Sequence, residues 1–156
     1  MGQAEPTHAD RLAIRMEPLD LRGLADGALL LVDTAPIIYV LEGHRSLAPR
    51  FRPLFDAHAA GHFRFAVSTI TLAEVLTGPL QAGNDALARR YRAVLESWQI
   101  VPLDADIAEN AARLRISTRL KLPDAVQLAS ALAVNAAGLV THDRDFSRVS
   151  ALRVIA

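Results

Sequence analysis

The chain of 156 residues contains no cysteine. That absence excludes disulfide frameworks and thiolate metal sites, and it fits a cytoplasmic protein. Lysine is almost missing: Lys121 is alone, and 17 basic residues are balanced by 17 acidic ones. A strongly basic nucleic-acid binder carries an excess of Lys and Arg, so any nucleic-acid surface here has to be a local patch. Long apolar runs are missing too. The stretch from Leu29 to Leu41 comes nearest, but Asp33 interrupts it, and it falls short of the roughly 20 residues a membrane span needs. The N-terminus shows no basic start followed by an apolar block, so no secretory leader is expected. Its mixture of Glu5, Asp10, Glu17, Asp20 and Asp26 with arginines argues against an organellar transit peptide. No internal repeat or low-complexity tract is visible.

Hydrophobic residues make up 51% of the chain, which suits one domain with one core. Residues 1–27 are polar, mixed in charge and weakly periodic, and read as an N-terminal extension outside the core. The domain proper is expected over 28–156. Ala28 to Val32 is a continuous apolar run, the mark of a strand covered on both faces. Further strands are predicted at Phe63 to Ser68, Ile100 to Leu103, Leu139 to Thr141 and Leu152 to Ile155. Helices are predicted between them: Ala35 to Leu41, then one capped by Ser46, then one capped by Ser68 or Thr69 and stopped or kinked by Gly78-Pro79. The next is capped by Asn84, another begins at Asp104, and the last is opened by Pro123 and ended by Gly138. Strands alternating with helices imply an α/β fold with a largely parallel sheet. In such sheets ligands bind beyond the carboxyl ends of the strands.

Four acidic residues stand where the chain leaves apolar strands or enters helices: Asp33, Glu74, Asp124 and Asp143. Only the fold can bring them together. Two unit charges about 4 Å apart repel by roughly 4 kcal/mol at an effective dielectric near 20. A divalent cation is the simplest way to offset that repulsion, and oxygen-only ligands favour Mg²⁺ or Mn²⁺. Each acid also has a plainer reading. Asp33 suits a strand-end turn, Glu74 has capping-box spacing from Thr71, Asp124 is a favourable first-turn acid, and Asp143 can cap a turn toward Phe146. Asp104 and Asp106 read as an N-cap and a first-turn acid. His58 and His62 have i, i+4 spacing for zinc, but Gly61 falls between them and no HExxH is present. His142 reads as solvent-facing, and Tyr91 and Trp98 as core or dimer-contact residues.

The segments DTAPIIYVLEG, STITLAEVL, LPDAVQLASA and LVTHDRDF, in this order, resemble a PIN domain, nearest the VapC-like toxin ribonucleases of bacterial toxin–antitoxin pairs. The similarity runs from about Leu29 to Ile155. It implies a PIN-like three-layer α/β/α domain with a mostly parallel five-stranded sheet, and an endoribonuclease that hydrolyses RNA phosphodiester bonds with Mg²⁺ or Mn²⁺. On that resemblance Asp33, Glu74, Asp124 and Asp143 are the catalytic, metal-holding acids. Thr141 supports the cluster, and Asp145 is a fifth acid or one acting behind the others. Cleavage would leave a 5′-phosphate and a 3′-hydroxyl. Arg50, Arg52, Arg89, Arg90, Arg92, Arg113, Arg115, Arg119 and Lys121 become candidates for phosphate contact. The resemblance also implies a cognate antitoxin whose C-terminal segment crosses the acidic cleft, and a homodimer in which Tyr39 packs at a helix–helix interface.

One position departs from the pattern. Ala35 stands where the family often has Asn, which opens an alternative: a catalytically weak or inactive PIN-like module that binds RNA or protein. Ala35 also stands where a haloacid-dehalogenase-like phosphatase needs its second Asp. The only lysine, Lys121, sits in a helix–helix connection and serves neither that enzyme nor a receiver domain.

Overall fold

The computed structural model describes Glu5, Thr7–Ala9 and residues 17–156. Five strands, β1 (Ala28–Val32), β2 (Phe63–Ser68), β3 (Gln99–Val101), β4 (Gly138–Val140) and β5 (Val154–Ile155), form one parallel sheet in the order β3-β2-β1-β4-β5. Six helices connect them: α1 (Thr34–Glu42), α2 (Ala48–Ala59), α3 (Thr69–Gln81), α4 (Asp85–Glu96), α5 (Ala105–Thr118) and α6 (Leu122–Ala133). A short 3₁₀ turn, Arg144–Arg148, follows β4.

Strand geometry sends alternate side chains of β1 to opposite faces. Leu29 and Leu31 join Ile107, Ala111, Ala125 and Leu128 in a core under α5 and α6. Leu30 and Val32 join Ile37, Phe51, Leu54, Val75 and Leu95 in a second core under α1 to α4. The result is the expected α/β/α layering. Tyr91 and Trp98 are both buried in the second core.

The chain runs β1 to β2 to β3 on one side of the sheet, then returns to lay β4 and β5 on the other side of β1. The switch point therefore lies between the carboxyl ends of β1 and β4, where such sheets leave a crevice. Asp33 and Thr141–Asp143 leave the sheet at this place. The Asp33 N–H donates to the Val140 carbonyl at 2.8 Å, which keeps the two strand ends in register.

Several expected boundaries move. Ser46 does not cap α2. Its hydroxyl faces His44 Nδ1 at 3.5 Å, and that nitrogen takes the Leu47 N–H at 3.2 Å, so the helix starts without a side-chain cap. Gly78-Pro79 does not stop α3, which runs on to Gln81. Pro79 removes a single N–H close to the helix end, and its ring is buried there. Thr71 and Glu74 form no capping box: Ser68 is the cap, its Oγ accepting from the Thr71 N–H at 3.2 Å, while Thr71 is buried and Glu74 exposed. α6 ends before Gly138, with Asn135 taking the left-handed turn at φ 52°. Gly138 opens β4 instead, at a place where a Cβ would meet Ile155 Cδ1 at 2.9 Å. Strand pairing also starts β3 and β4 one residue earlier than expected and shortens β3 and β5 relative to the apolar runs that marked them.

The expectation that residues 1–27 lie outside the core meets a different arrangement over the described part from residue 17 on. Leu19, Leu21 and Leu24 pack against the second core. The Arg153 guanidinium donates to the carbonyls of Asp20 (2.9 Å) and Arg22 (2.7 Å), pinning the segment beside β5. Most of residues 1–16 fall outside the described residues. His58 and His62 make no metal pair. The helix ends between them, His58 stacks on Phe65 with its Nδ1 at 2.9 Å from the Phe63 carbonyl, and His62 faces Asp26. Among the described residues no helix is long and apolar enough to cross a membrane.

Candidate active site

Asp33 ends β1 and caps α1 with extended backbone, its Oδ1 accepting the Thr34 N–H at 2.8 Å. The same oxygen accepts from Gln127 Nε2 at 3.0 Å, and Oδ2 accepts from the Thr141 hydroxyl at 2.9 Å. Donors from α1, α6 and the end of β4 thus hold one carboxylate. Thr141 Oγ1 in turn accepts the Asp143 N–H at 3.0 Å, and Asp143 Oδ1 accepts the Asp145 N–H at 2.9 Å to start the 3₁₀ turn. The orientation of Asp33 and the path of the loop bearing Asp143 and Asp145 are therefore coupled through one threonine.

Gln127 lies beneath this arrangement, 1% exposed. Its Oε1 accepts from Ser68 Oγ at 2.7 Å, and its Nε2 donates to Thr71 Oγ1 at 2.6 Å as well as to Asp33. Thr34 Oγ1 reaches Thr71 Oγ1 at 3.2 Å. Buried polar groups require partners of this kind, and here they join the carboxyl ends of β1 and β2 to the first turns of α1 and α3 and the second turn of α6.

Above the network lies a cavity of about 250 Å³ whose lining includes Asp33, Thr34, Glu74, Asp124, Gln127 and Asp143. All four acids from distant segments share it. They are not equally close. Asp124, Asp143 and Asp145 each offer an oxygen within 4.8 Å of the others, whereas Asp33 and Glu74 stand outside that tight group. Asp145, expected behind the others or as a fifth acid, is a full member of it.

A sheet-edge cavity of carboxylates on this topology coincides with a family match: the PIN domain family model fits residues 30–152. The chain belongs to the PIN-domain family. Ribonuclease VapC5 of Mycobacterium tuberculosis (strain ATCC 25618 / H37Rv) is 34% identical over 92 residues, covering 54% of this chain and 67% of that protein. A toxin–antitoxin complex from Klebsiella pneumoniae contains a chain 31% identical, with a TM-score of 0.64, covering 81% of this chain and 96% of that one. VapC20 of Mycobacterium tuberculosis, described as a sarcin-ricin loop cleaving toxin, shares the fold at 19% identity and a TM-score of 0.62, over 76% of this chain and 92% of that one. Within the PIN-domain family, the likeness is to the VapC-like toxin ribonucleases.

The electrostatics of this PIN domain follow first from burial and then from crowding. Burial raises the Asp33 carboxyl above its ordinary range despite bonds from Thr34, Thr141 and Gln127, and the Asp143 charge adds to the rise. Glu74 is raised by burial and then by Asp33, against the Thr34 hydroxyl. Asp124 is pushed up to about 6 by burial and by Asp143, Asp33 and Asp145, with Lys121 opposing. A bound cation would relieve such mutual destabilisation of charge. The donors are all carboxylate oxygens, with no imidazole or thiolate among them. That set fits a hard divalent cation such as Mg²⁺ or Mn²⁺.

Gln127, Thr34, Ser68 and Thr71 were not visible as site residues. Gln127 left one signal: it is a polar intrusion in the apolar helix run AVQLASALA, one turn from Asp124 on the same face. His142, expected toward solvent, is partly buried. Its Nδ1 lies 3.1 Å from the Tyr39 hydroxyl, and its ring meets Tyr39 and Phe51 edge-on. Tyr39 thus makes contacts inside its own chain. Of the candidate phosphate-binding arginines, Arg92 pairs with Glu96, Arg113 pairs with Glu109, and Arg50 reaches the Ala156 carbonyl oxygen.

Proposed function

We propose that this PIN domain is a Mg²⁺- or Mn²⁺-dependent endoribonuclease, the toxin half of a toxin–antitoxin pair. The observation that carries the reading is the convergence of Asp33, Glu74, Asp124 and Asp143 on one cavity at the switch point of the sheet. Asp124, Asp143 and Asp145 are the side chains best placed to hold a cation, and Asp33 and Glu74 line the cavity together with Asp124 and Asp143. When bound, such a cation makes water nucleophilic at neutral pH and offsets charge developing on phosphate.

The chain's own residues supply positioning. Thr141, Gln127 and the Thr34 N–H fix both Asp33 oxygens, so that carboxylate need not reorganise as charge develops. The exposed edges of the cavity, at Glu74 and Asp143, leave room for a single-stranded or looped RNA to bend inward. Relatives support the remaining assignments: one is named a ribonuclease, another occurs in a toxin–antitoxin complex. By the same likeness the protein pairs with an antitoxin that sets an Arg or Lys against the carboxylates, forms a homodimer and works in the cytoplasm.

The test sets the parent against Asp33→Asn, scoring growth arrest on expression and Mn²⁺-dependent cleavage of total RNA. The parent should arrest growth and cut RNA, losing cleavage with chelator, while the variant does neither. Equal activity in both proteins removes the site assignment. An inactive parent that still binds RNA returns the alternative opened by Ala35, which lines the cavity without a polar atom.

A further inference from the structure

We propose that a second cleft, between the carboxyl end of α5 and the segment joining the 3₁₀ turn to β5, holds an RNA backbone phosphate away from the bond to be cut. The inference rests on the nuclease reading and extends it to a substrate-holding subsite. The cleft has a volume of about 460 Å³, and its lining includes Leu114, Ser117, Arg119, Arg148, Val149 and Ser150. Two arginines therefore line one concavity. Among the described residues neither side chain has a hydrogen-bond or ion-pair partner, unlike Arg92 and Arg113, which are paired along their own helices.

Arg119 occupies an unusual place. It is the C-cap of α5 at φ 60°, ψ 20°, a left-handed conformation that glycine adopts most readily. A long cationic side chain stands there instead. Unpaired arginines match phosphate well, because the planar fork bonds two oxygens at once. Leu114 and Val149 supply apolar wall beside the two arginines.

Position along the chain ties this cleft to the acids. Arg148 follows Asp145 by three residues and Arg119 precedes Asp124 by five. At roughly 3.6 Å per residue at full extension, their backbones lie no more than about 11 Å and about 18 Å away respectively. RNA entering the acidic cavity meets crowded carboxylates, and the chain's formal net charge of zero provides no general attraction. A local cationic anchor a few nucleotides along would retain the strand where the acids repel it.

The experiment measures binding without cleavage. The parent, Arg119→Gly, Arg148→Ala and the double variant are titrated, in chelator, with an end-labelled pool of random single-stranded RNA at several salt concentrations. Arg22→Ala, which alters an exposed pair with Asp20, is the control. Arg119→Gly suits the left-handed backbone, so its melting temperature should hold, and lost affinity cannot be assigned to misfolding. Each single variant should bind about five- to tenfold more weakly. Each should also lower the slope of log affinity against log salt by about 0.7, the value of one released single-strand phosphate contact. Unchanged affinity and slope in the double variant overturn the subsite and leave the nuclease reading intact. A parent that neither binds nor cuts RNA overturns both. Variants that bind RNA like the parent but lose the cognate antitoxin assign the cleft to a protein partner and overturn the RNA proposal.

Discussion

Gln127 Nε2 donates to Asp33 Oδ1 across 3.0 Å, joining two residues 94 positions apart. Because Gln127 also takes the Ser68 hydroxyl and gives to Thr71, one side chain satisfies buried groups from three elements. Gln127→Leu keeps the approximate shape and strips every partner. It should destabilise the protein by about 1–3 kcal/mol, the penalty for stranding a buried polar group. Chemical denaturation measures this. RNA cleavage at saturating Mn²⁺ should fall as well, because Asp33 loses one of its fixed donors. A variant as stable and as active as the parent would remove Gln127 from any positioning role.

Thr141 serves two directions at once, giving to Asp33 and accepting from the Asp143 N–H. Thr141→Val removes both bonds while preserving the β-branched outline. Thr141→Ser restores the hydroxyl. The valine variant should lose cleavage by roughly 10- to 100-fold, the usual effect of removing a group that orients ligands, and the serine variant should recover most of it. Equal loss in both would point to packing of the methyl group as the cause.

Asp145 is one of three residues whose oxygens lie within 4.8 Å of one another. Asp145→Asn should weaken Mn²⁺ binding by at least about tenfold, read from the free-ion signal in electron paramagnetic resonance. Unaltered Mn²⁺ affinity would place Asp145 outside the ion's reach.

Stability of the metal-free protein should depend on pH through the raised carboxyls. Asp33, Glu74 and Asp124 hold their protons more tightly when folded, Asp124 up to about 6. As pH rises above about 4, the unfolded chain releases these protons first. The contribution is therefore present at low pH and lost as pH climbs through about 6. Mg²⁺ should reverse the loss, raising the melting temperature more near pH 8 than near pH 5, where protons compete for the carboxylates. An Mg²⁺ effect independent of pH would mean that the ion binds elsewhere.

The strands were legible because β1 and the second half of β2 are buried on both faces, so burial dictated the apolar runs Leu29 to Val32 and Phe65 to Val67. Local chemistry also marked the caps at Asn84 and Asp104, whose side chains accept from the N–H groups of Leu87 and Ile107. The ends of α3 and α6 were not legible: α3 runs to Gln81 past the breaking pair Gly78-Pro79, and α6 stops at Ala133, with Asn135 and not Gly138 taking the left-handed turn. The acids stood out by their placement at strand and helix ends. The residues that aim them did not, because a buried Gln, Ser or Thr looks like any polar residue until its partner is known.

By itself the sequence determined the α/β alternation, the four acids and the absence of thiolate chemistry, all of which depend on residue type and short-range periodicity. Only the tertiary structure decided which acids share the tightest space, that Asp145 stands among them while Glu74 remains apart, and that Gln127 and Thr141 orient Asp33. The reason is physical: repulsion between carboxylates and bonding to buried hydroxyls depend on distance across the fold, and spacing along the chain does not encode that distance.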